Sequence, residues 1–240
     1  MNKPLIIITG ASSGIGEATA RLLSSQGHPL LLLARRLERL EALNLPSTLC
    51  RAVDVTDAVA MQAAIKEAEQ RFGPADAIVN NAGVMLLGEM AKQNPDEWQR
   101  MLDVNVKGLL NGIHAVLGGM VARKSGTIIN ISSIAGRKTF PNHVAYCGTK
   151  FAVHAISENL REEVAGHNVR VITIAPGAVE TELLSHTSDE GIKQGYEEWK
   201  EGMGGVLKAT DIASAIAYAY QQPQNVCVRE IVLAATGQPA

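Results

Sequence analysis

Cysteine is scarce. Cys50, Cys147 and Cys227 are odd in number, far apart and in no C-x-x-C pair. That excludes a disulfide framework and a zinc knuckle, and it fits a reducing compartment. The six histidines show neither H-E-x-x-H nor any other ligand spacing, so no metal is expected. No apolar run reaches membrane-spanning length. The run Leu5–Ile8 is too short for the apolar region of a signal peptide and has no small-residue cleavage site after it. A cytoplasmic protein is expected. Net charge is only -2, so there is no global positive field to draw nucleic acid or an anionic membrane. There is no repeat, no low-complexity tract and no linker, so one domain is expected over residues 1–240.

What is present is an ordinary globular composition, 46% hydrophobic and 19% charged. Apolar, β-branched runs at 5–9, 29–34, 49–53, 76–80, 126–132, 169–175 and 228–234 read as strands. Most are apolar throughout, as in a parallel sheet covered on both faces. Helical periodicity falls between them, at about 14–26, 57–72, 96–122, 146–165 and 210–221. The alternation predicts an α/β fold: a Rossmann-like, doubly wound parallel sheet of about seven strands with helices on both faces. The span 180–208 is polar, carries five glycines and reads as an irregular, mobile substrate lid. Within it, Trp199 and Met203 are either substrate contacts or loop anchors.

The first strand runs into "TGASSGIGEATARLL". Gly10, Gly14 and Gly16 stand between a strand and a helix, where a tight turn brings free N–H groups against a pyrophosphate. Ser12, Ser13 and Ile15 of the same loop are counted with them as cofactor contacts. A fold of this kind that binds NAD places a carboxylate about 20 residues further on, for the ribose 2′-hydroxyl. Here the second strand ends in Ala34, Arg35 and Arg36 instead. Guanidinium groups suit a 2′-phosphate, so the cofactor is expected to be NADP(H), with Arg35 its main contact and Arg36 sharing it or stacking on the adenine. The bland reading is a solvated helix start at "RRLERLEAL", although a helix N-terminus favours acids over two bases.

Tyr146 and Lys150 are four residues apart and share one face of a helix. An ammonium beside a phenol lowers the phenol's pKa, which makes Tyr146 an acid/base candidate. With "NNAG" at 80–83, "NVKG" at 105–108, Ser133 thirteen residues before Tyr146, and "PGAVET" at 176–181, the chain resembles the short-chain dehydrogenase/reductase family along nearly its whole length. The resemblance implies a hydride exchanged between NADP(H) and a small carbonyl or alcohol substrate. Tyr146 would be the acid/base and Ser133 a second donor to the reacting oxygen. Lys150 would hold the nicotinamide ribose and depress the tyrosine pKa. Asn105 would hold a water that links Lys150 to solvent, although it also reads as a helix-kinking structural residue. Asp54 and Val55 would flank the adenine. Asn80, Ala82 and Gly83 would line the ribose and nicotinamide, and Pro176, Gly177, Val179 and Thr181 would meet the carboxamide end.

Three segments, "GHPLLLLARRLERL", "NNAGVMLLGEM" and the stretch from Ser132 to Val164, are similar to a narrower group in that family, the NADPH-binding bacterial blue fluorescent proteins. That likeness implies enhanced blue emission from bound NADPH. It leaves a second reading open, a fluorescent NADPH-binding module with little catalysis, though such a module has no need of Asn105, Ser133, Tyr146 and Lys150 together. The family resemblance also implies a homotetramer. The substrate pocket is expected from the 85–95 loop, the 135–143 segment around Phe140 and the lid.

Overall fold

The computed structural model describes residues 3–239; the outermost ends of the expected domain, residues 1, 2 and 240, lie outside them. Seven strands form one sheet: β1 (Leu5–Thr9), β2 (Leu30–Ala34), β3 (Thr48–Ala52), β4 (Ala75–Asn80), β5 (Gly126–Ile131), β6 (Val169–Pro176) and, last in the chain, β9 (Glu230–Leu233). Their order is β3-β2-β1-β4-β5-β6-β9, and every neighbouring pair is parallel. Residues that alternate along each strand feed opposite faces, which is why the strands are apolar throughout. Leu5, Ile7, Leu31 and Leu33 pack on one face under α3 (Ala58–Phe72), α5 (Gly108–Arg123) and α6 (Val144–Val164). Ile6, Ile8, Leu30 and Leu32 pack on the other, under α1 (Gly14–Ser25) and α8 (Ala209–Gln221). Each fully buried Leu or Ile stabilises by about 1.5–3 kcal/mol, so the two layers hold the sheet from both sides.

Chain order reverses between β1 and β4, and the carboxyl ends of these strands open the crevice where such sheets take ligands. Gly10 follows β1, Asn81 follows β4 and Ser132 follows β5, so the motifs converge on that one edge.

Two stretches differ from their expected form. The helix expected over 96–122 is three pieces: α4 (Pro95–Leu102), a wide π turn at Asp103–Lys107 and then α5. The span 180–208 is not irregular. Short strands β7 (Val179–Glu180) and β8 (Leu207–Lys208) pair, a 3-10 turn covers Glu182–His186, and α7 (Glu190–Gly202) is a full helix. Its glycines hid it. The Asp189 side chain caps it by accepting from the Ile192 N–H at 3.0 Å, and Ile192, Tyr196 and Trp199 recur on one apolar side. A short helix α2 (Leu37–Glu41) does follow the two arginines. Among the described residues, no helix is long and apolar enough to cross a membrane.

Candidate active site

The glycine loop is held by close approach. Gly10 has φ +63°, and a Cβ there would lie 2.8 Å from the Ala82 Cα. A Cβ on Gly16 would lie 2.3 Å from the Gly10 carbonyl, so α1 can sit this near β1 only with glycine. The Thr9 hydroxyl accepts from the Asn81 and Ala82 N–H groups, both at 3.0 Å, and the Asn81 amide donates to the Thr9 and Gly10 carbonyls. At the start of α1, Ser13 makes no side-chain cap, which leaves the first N–H groups of the helix free beside a cavity. Gly10, Ser12, Ser13, Gly14 and Ile15 line that cavity, about 190 Å³ in volume, with Arg35, Arg36, Asp54, Val55, Ala82 and Gly83. These residues fit a dinucleotide: open N–H groups for phosphates, guanidinium groups at the β2 end, and Asp54 and Val55 opposite.

Arg36 is not idle. Its guanidinium donates to the Ser12 and Ser13 hydroxyls at 3.4 Å and to Glu182 at 3.3 Å. Arg39 holds the same carboxylate at 2.8 Å. Arg35 has no such partner among the described residues and faces the cavity. Burial would raise the Asp54 carboxyl, but hydrogen bonds from Thr56 and the charges of Arg35 and Arg100 hold it below the usual range. Sequence reasoning missed Arg39 and Glu182; an acid 143 residues away from Arg39 carries no local signal.

Tyr146 stands in the first turn of α6 and Lys150 one turn later, both buried. Ser133 caps the 3-10 turn Ile134–Gly136 by accepting from the Ala135 N–H at 3.0 Å. That fixes its hydroxyl on the cavity wall that it shares with Tyr146. Ser132 points elsewhere, donating to the Lys150 carbonyl at 3.2 Å and meeting the His154 Nδ1 at 2.9 Å. The expected lowering of the Tyr146 pKa is absent. Burial raises it well above the ordinary phenol value, Tyr196 adds to this, and only the nearby Ser133 hydroxyl opposes. The Lys150 ammonium lies 5.8 Å from the phenol ring centre, donates to the Ile131 carbonyl at 3.0 Å, and is itself lowered by burial to about 8. In the chain alone, desolvation outweighs the attraction between the pair.

Four expected site residues line neither cavity: Gly16, at the contact of α1 with β1, and Asn80, Pro176 and Asn105. Asn80 donates to the Asn130 side chain at 2.9 Å inside the sheet, so it braces β4 against β5 while its neighbour Asn81 faces the cavity. Pro176 ends β6 behind Gly177 and lines neither cavity. The Asn105 side chain, in the π turn, spends both amide donors: it donates to the Val84 carbonyl and the Thr149 hydroxyl, and its oxygen accepts from the Val84 N–H at 2.8 Å. Thr149 in turn donates to the Tyr146 carbonyl at 2.8 Å. Asn105 therefore positions the helix that carries Tyr146 and Lys150, and its Oδ1 keeps one lone pair beyond the bond from Val84.

A second cavity, about 440 Å³, adjoins the first. Its wall includes Met85, Leu87, Phe140, His143, Gly177, Val179, Thr181, Leu183, Tyr196 and Trp199, as well as Ser133 and Tyr146. Trp199 is therefore a cavity residue, and Met203 meets the C-terminal segment at Gly237 instead. Cys147 packs in the apolar cluster beside Tyr146. Tyr146 and Thr181 face both cavities.

The family model described as short chain dehydrogenase matches residues 4–191. An uncharacterised oxidoreductase of Staphylococcus saprophyticus is 45% identical over 98% of this chain and 96% of its own length. Among solved structures, the closed form of a serine dehydrogenase complexed with NADP+ superposes with a TM-score of 0.92, at 32% identity, over 98% of this chain and 96% of its own. An alcohol dehydrogenase from the archaeon Thermococcus sibiricus, complexed with 5-hydroxy-NADP, gives 0.86 at 27% identity over 99% of both chains.

Proposed function

The chain belongs to the short-chain dehydrogenase family of NAD(P)-dependent oxidoreductases, and on that premise we propose that it is an NADP(H)-dependent reductase of small carbonyl compounds, reversible to the alcohol. One observation carries the reading: Tyr146 faces both the glycine-loop cavity and the apolar one, so its hydroxyl stands where cofactor and substrate would meet.

The α1 N-terminus and the glycine loop would hold the phosphates, Arg35 and Arg36 the 2′-phosphate, and Asp54 and Val55 the adenine side. NADP(H), when bound, supplies or accepts the hydride at the carbonyl carbon. The chain's own part is the proton. A phenol raised by burial stays protonated at neutral pH, which suits an acid that donates to the developing alkoxide. Ser133, with its lone pair engaged by the Ala135 N–H, has its O–H to offer the same oxygen. Lys150, lowered to about 8, exchanges its proton near neutrality and can restore the one that Tyr146 gives up. The relatives solved with NADP support the cofactor choice, and the two arginines support it from within the chain.

The likeness to NADPH-binding fluorescent proteins supports a second property of the same complex, brighter and blue-shifted emission of bound NADPH. A cytoplasmic homotetramer remains the expected form, and sedimentation as a clear monomer would remove the tetramer. The test of function is a screen of small aldehydes and ketones with NADPH. The expected result is NADPH oxidation by the wild type and its loss in Tyr146→Phe. No oxidation by the wild type, or undiminished turnover in the variant, refutes the reading.

A further inference from the structure

The glycine-loop cavity carries a carboxylate among its cations. Glu182 opens the 3-10 turn that follows Thr181, and it lines this cavity together with Arg35 and Arg36. The other acid of the wall, Asp54, is tied to the Thr56 N–H and hydroxyl. Glu182 is tied to arginines instead. Arg36 caps the start of α2, Arg39 lies inside that helix, and both reach the one carboxylate. Arg39 does not line the cavity.

The two arginines hold Glu182 unequally. Arg39 Nη1 donates to both carboxylate oxygens, at 2.8 and 3.0 Å. Arg36 reaches only Oε2, from two nitrogens at 3.3 Å each, and its Nη2 also serves the Ser12 and Ser13 hydroxyls at 3.4 Å. Arg36 is therefore the looser partner. The side chains of Arg36, Arg39 and Glu182 are 43%, 45% and 49% exposed, so an incoming anion has room to meet them. The turn does not depend on these pairs. Leu184 is buried beneath it, and the buried Thr187 hydroxyl bonds the Leu87 N–H and the Met85 carbonyl.

Resting on the NADP(H) reading above, we propose that Glu182 is a specificity residue for the cofactor: it competes with the 2′-phosphate for Arg36. Arg39 is a positioning residue that draws the carboxylate away from Arg36. A carboxylate and a phosphate beside one guanidinium repel each other, so a phosphate that engages Arg36 breaks the pair with Glu182. NAD(H) has no 2′-phosphate and leaves the pair intact. An exposed pair of this kind is worth up to about fivefold in an equilibrium, and the like-charge repulsion adds to it. Glu182 therefore weakens NADP(H) binding about five- to tenfold and leaves NAD(H) binding alone.

The experiment measures the Kd of NADP+ and of NAD+ by calorimetry, without substrate, in wild type, Glu182→Gln, Arg39→Gln and the double variant. Glutamine at 182 keeps the size of the side chain and removes its charge. NAD+ serves in each variant as the control for a folded site. Glu182→Gln should tighten NADP+ about five- to tenfold with NAD+ unchanged. Arg39→Gln leaves the carboxylate to Arg36 alone and should weaken NADP+ about threefold. In the Glu182→Gln background the same change should do nothing, because Arg39 acts only through the carboxylate. Unchanged or weaker NADP+ binding in Glu182→Gln overturns the proposal, and so does equal tightening of both cofactors. An Arg39→Gln loss that persists in the Glu182→Gln background puts Arg39 on the phosphate itself and overturns its positioning role. Wild type that binds NAD+ as tightly as NADP+ removes the NADP(H) reading, and the proposal falls with it if Glu182→Gln also leaves the two equal. A wild-type preference for NADP+ that Glu182→Gln does not change removes this proposal alone.

Discussion

Replacing Lys150 with methionine should make the protein more stable while it destroys activity. In the folded chain burial lowers the ammonium from 10.5 to about 8. At 1.36 kcal/mol per unit, keeping that side chain charged and buried at pH 7 costs about 3 kcal/mol. Methionine has a similar length and no charge, so the cost disappears. It also loses the bond to the Ile131 carbonyl, worth about 1 kcal/mol. The net expectation is a gain of about 2 kcal/mol at pH 7. The sign with pH is opposite to that of an ordinary ion pair. Between about 8 and 10.5 the unfolded chain still binds the lysine proton and the folded chain does not. Stability of the wild type therefore rises with pH across that window, and the methionine variant lacks the rise. Urea unfolding of both proteins, free of cofactor, at pH 7 and pH 10 reads the difference directly, since all other titrations are shared. The variant's advantage should shrink by about 3 kcal/mol toward alkaline pH and change sign. A gap that stays constant with pH, or a variant that is less stable at pH 7, refutes the claim that Lys150 is held against a desolvation cost.

Other expectations are simpler to state. Arg35→Asp should raise the KM for NADPH about 10- to 100-fold, the worth of one charge-assisted hydrogen bond, with little change for NADH; an equal response of both cofactors in steady-state kinetics would return Arg35 to plain surface. Gly16→Ala should abolish NADPH binding measured by calorimetry, because a Cβ would lie 2.3 Å from the Gly10 carbonyl; normal binding in a folded variant would mean that α1 can move away from β1. Titrating the protein into NADPH should brighten and blue-shift its emission, and unchanged spectra at saturation would dismiss the fluorescence.

The glycine-loop cavity was legible because a turn this tight between a strand and a helix constrains spacing. Strand, glycine loop and helix follow one another within "TGASSGIGEATARLL", and the arginines close the next strand. The seven strands were legible because both sheet faces are covered, which leaves their runs apolar. Pattern could not distinguish a residue on the wall from the one behind it. Asn80 and Asn81 are adjacent and alike, yet strand alternation sends Asn80 to Asn130 while Asn81 reaches the glycine loop. The Tyr146 titration was misjudged for a related reason. The four-residue spacing shows that an ammonium is near, but the degree of burial, which decides the direction, is a property of the packed molecule.

The apolar cavity was hidden for a deeper reason. Its wall comes from 85–87, 133–146, 177–200 and Gln238, segments that meet only after the sheet has formed. The 3-10 turn and α7 are held there mainly from beneath. The Glu182 pairs with Arg36 and Arg39 are about half exposed, and such pairs are worth 0–1 kcal/mol each. The buried Thr187 hydroxyl does more, accepting from the Leu87 N–H at 3.1 Å and donating to the Met85 carbonyl at 3.3 Å. Leu184, Ile192 and Tyr196 then pack against Leu86, Leu87 and Tyr146 in one apolar cluster. The same apolar residues that fold α7 onto the domain thus shape the cavity in front of Tyr146. A substitution there changes stability and selectivity together.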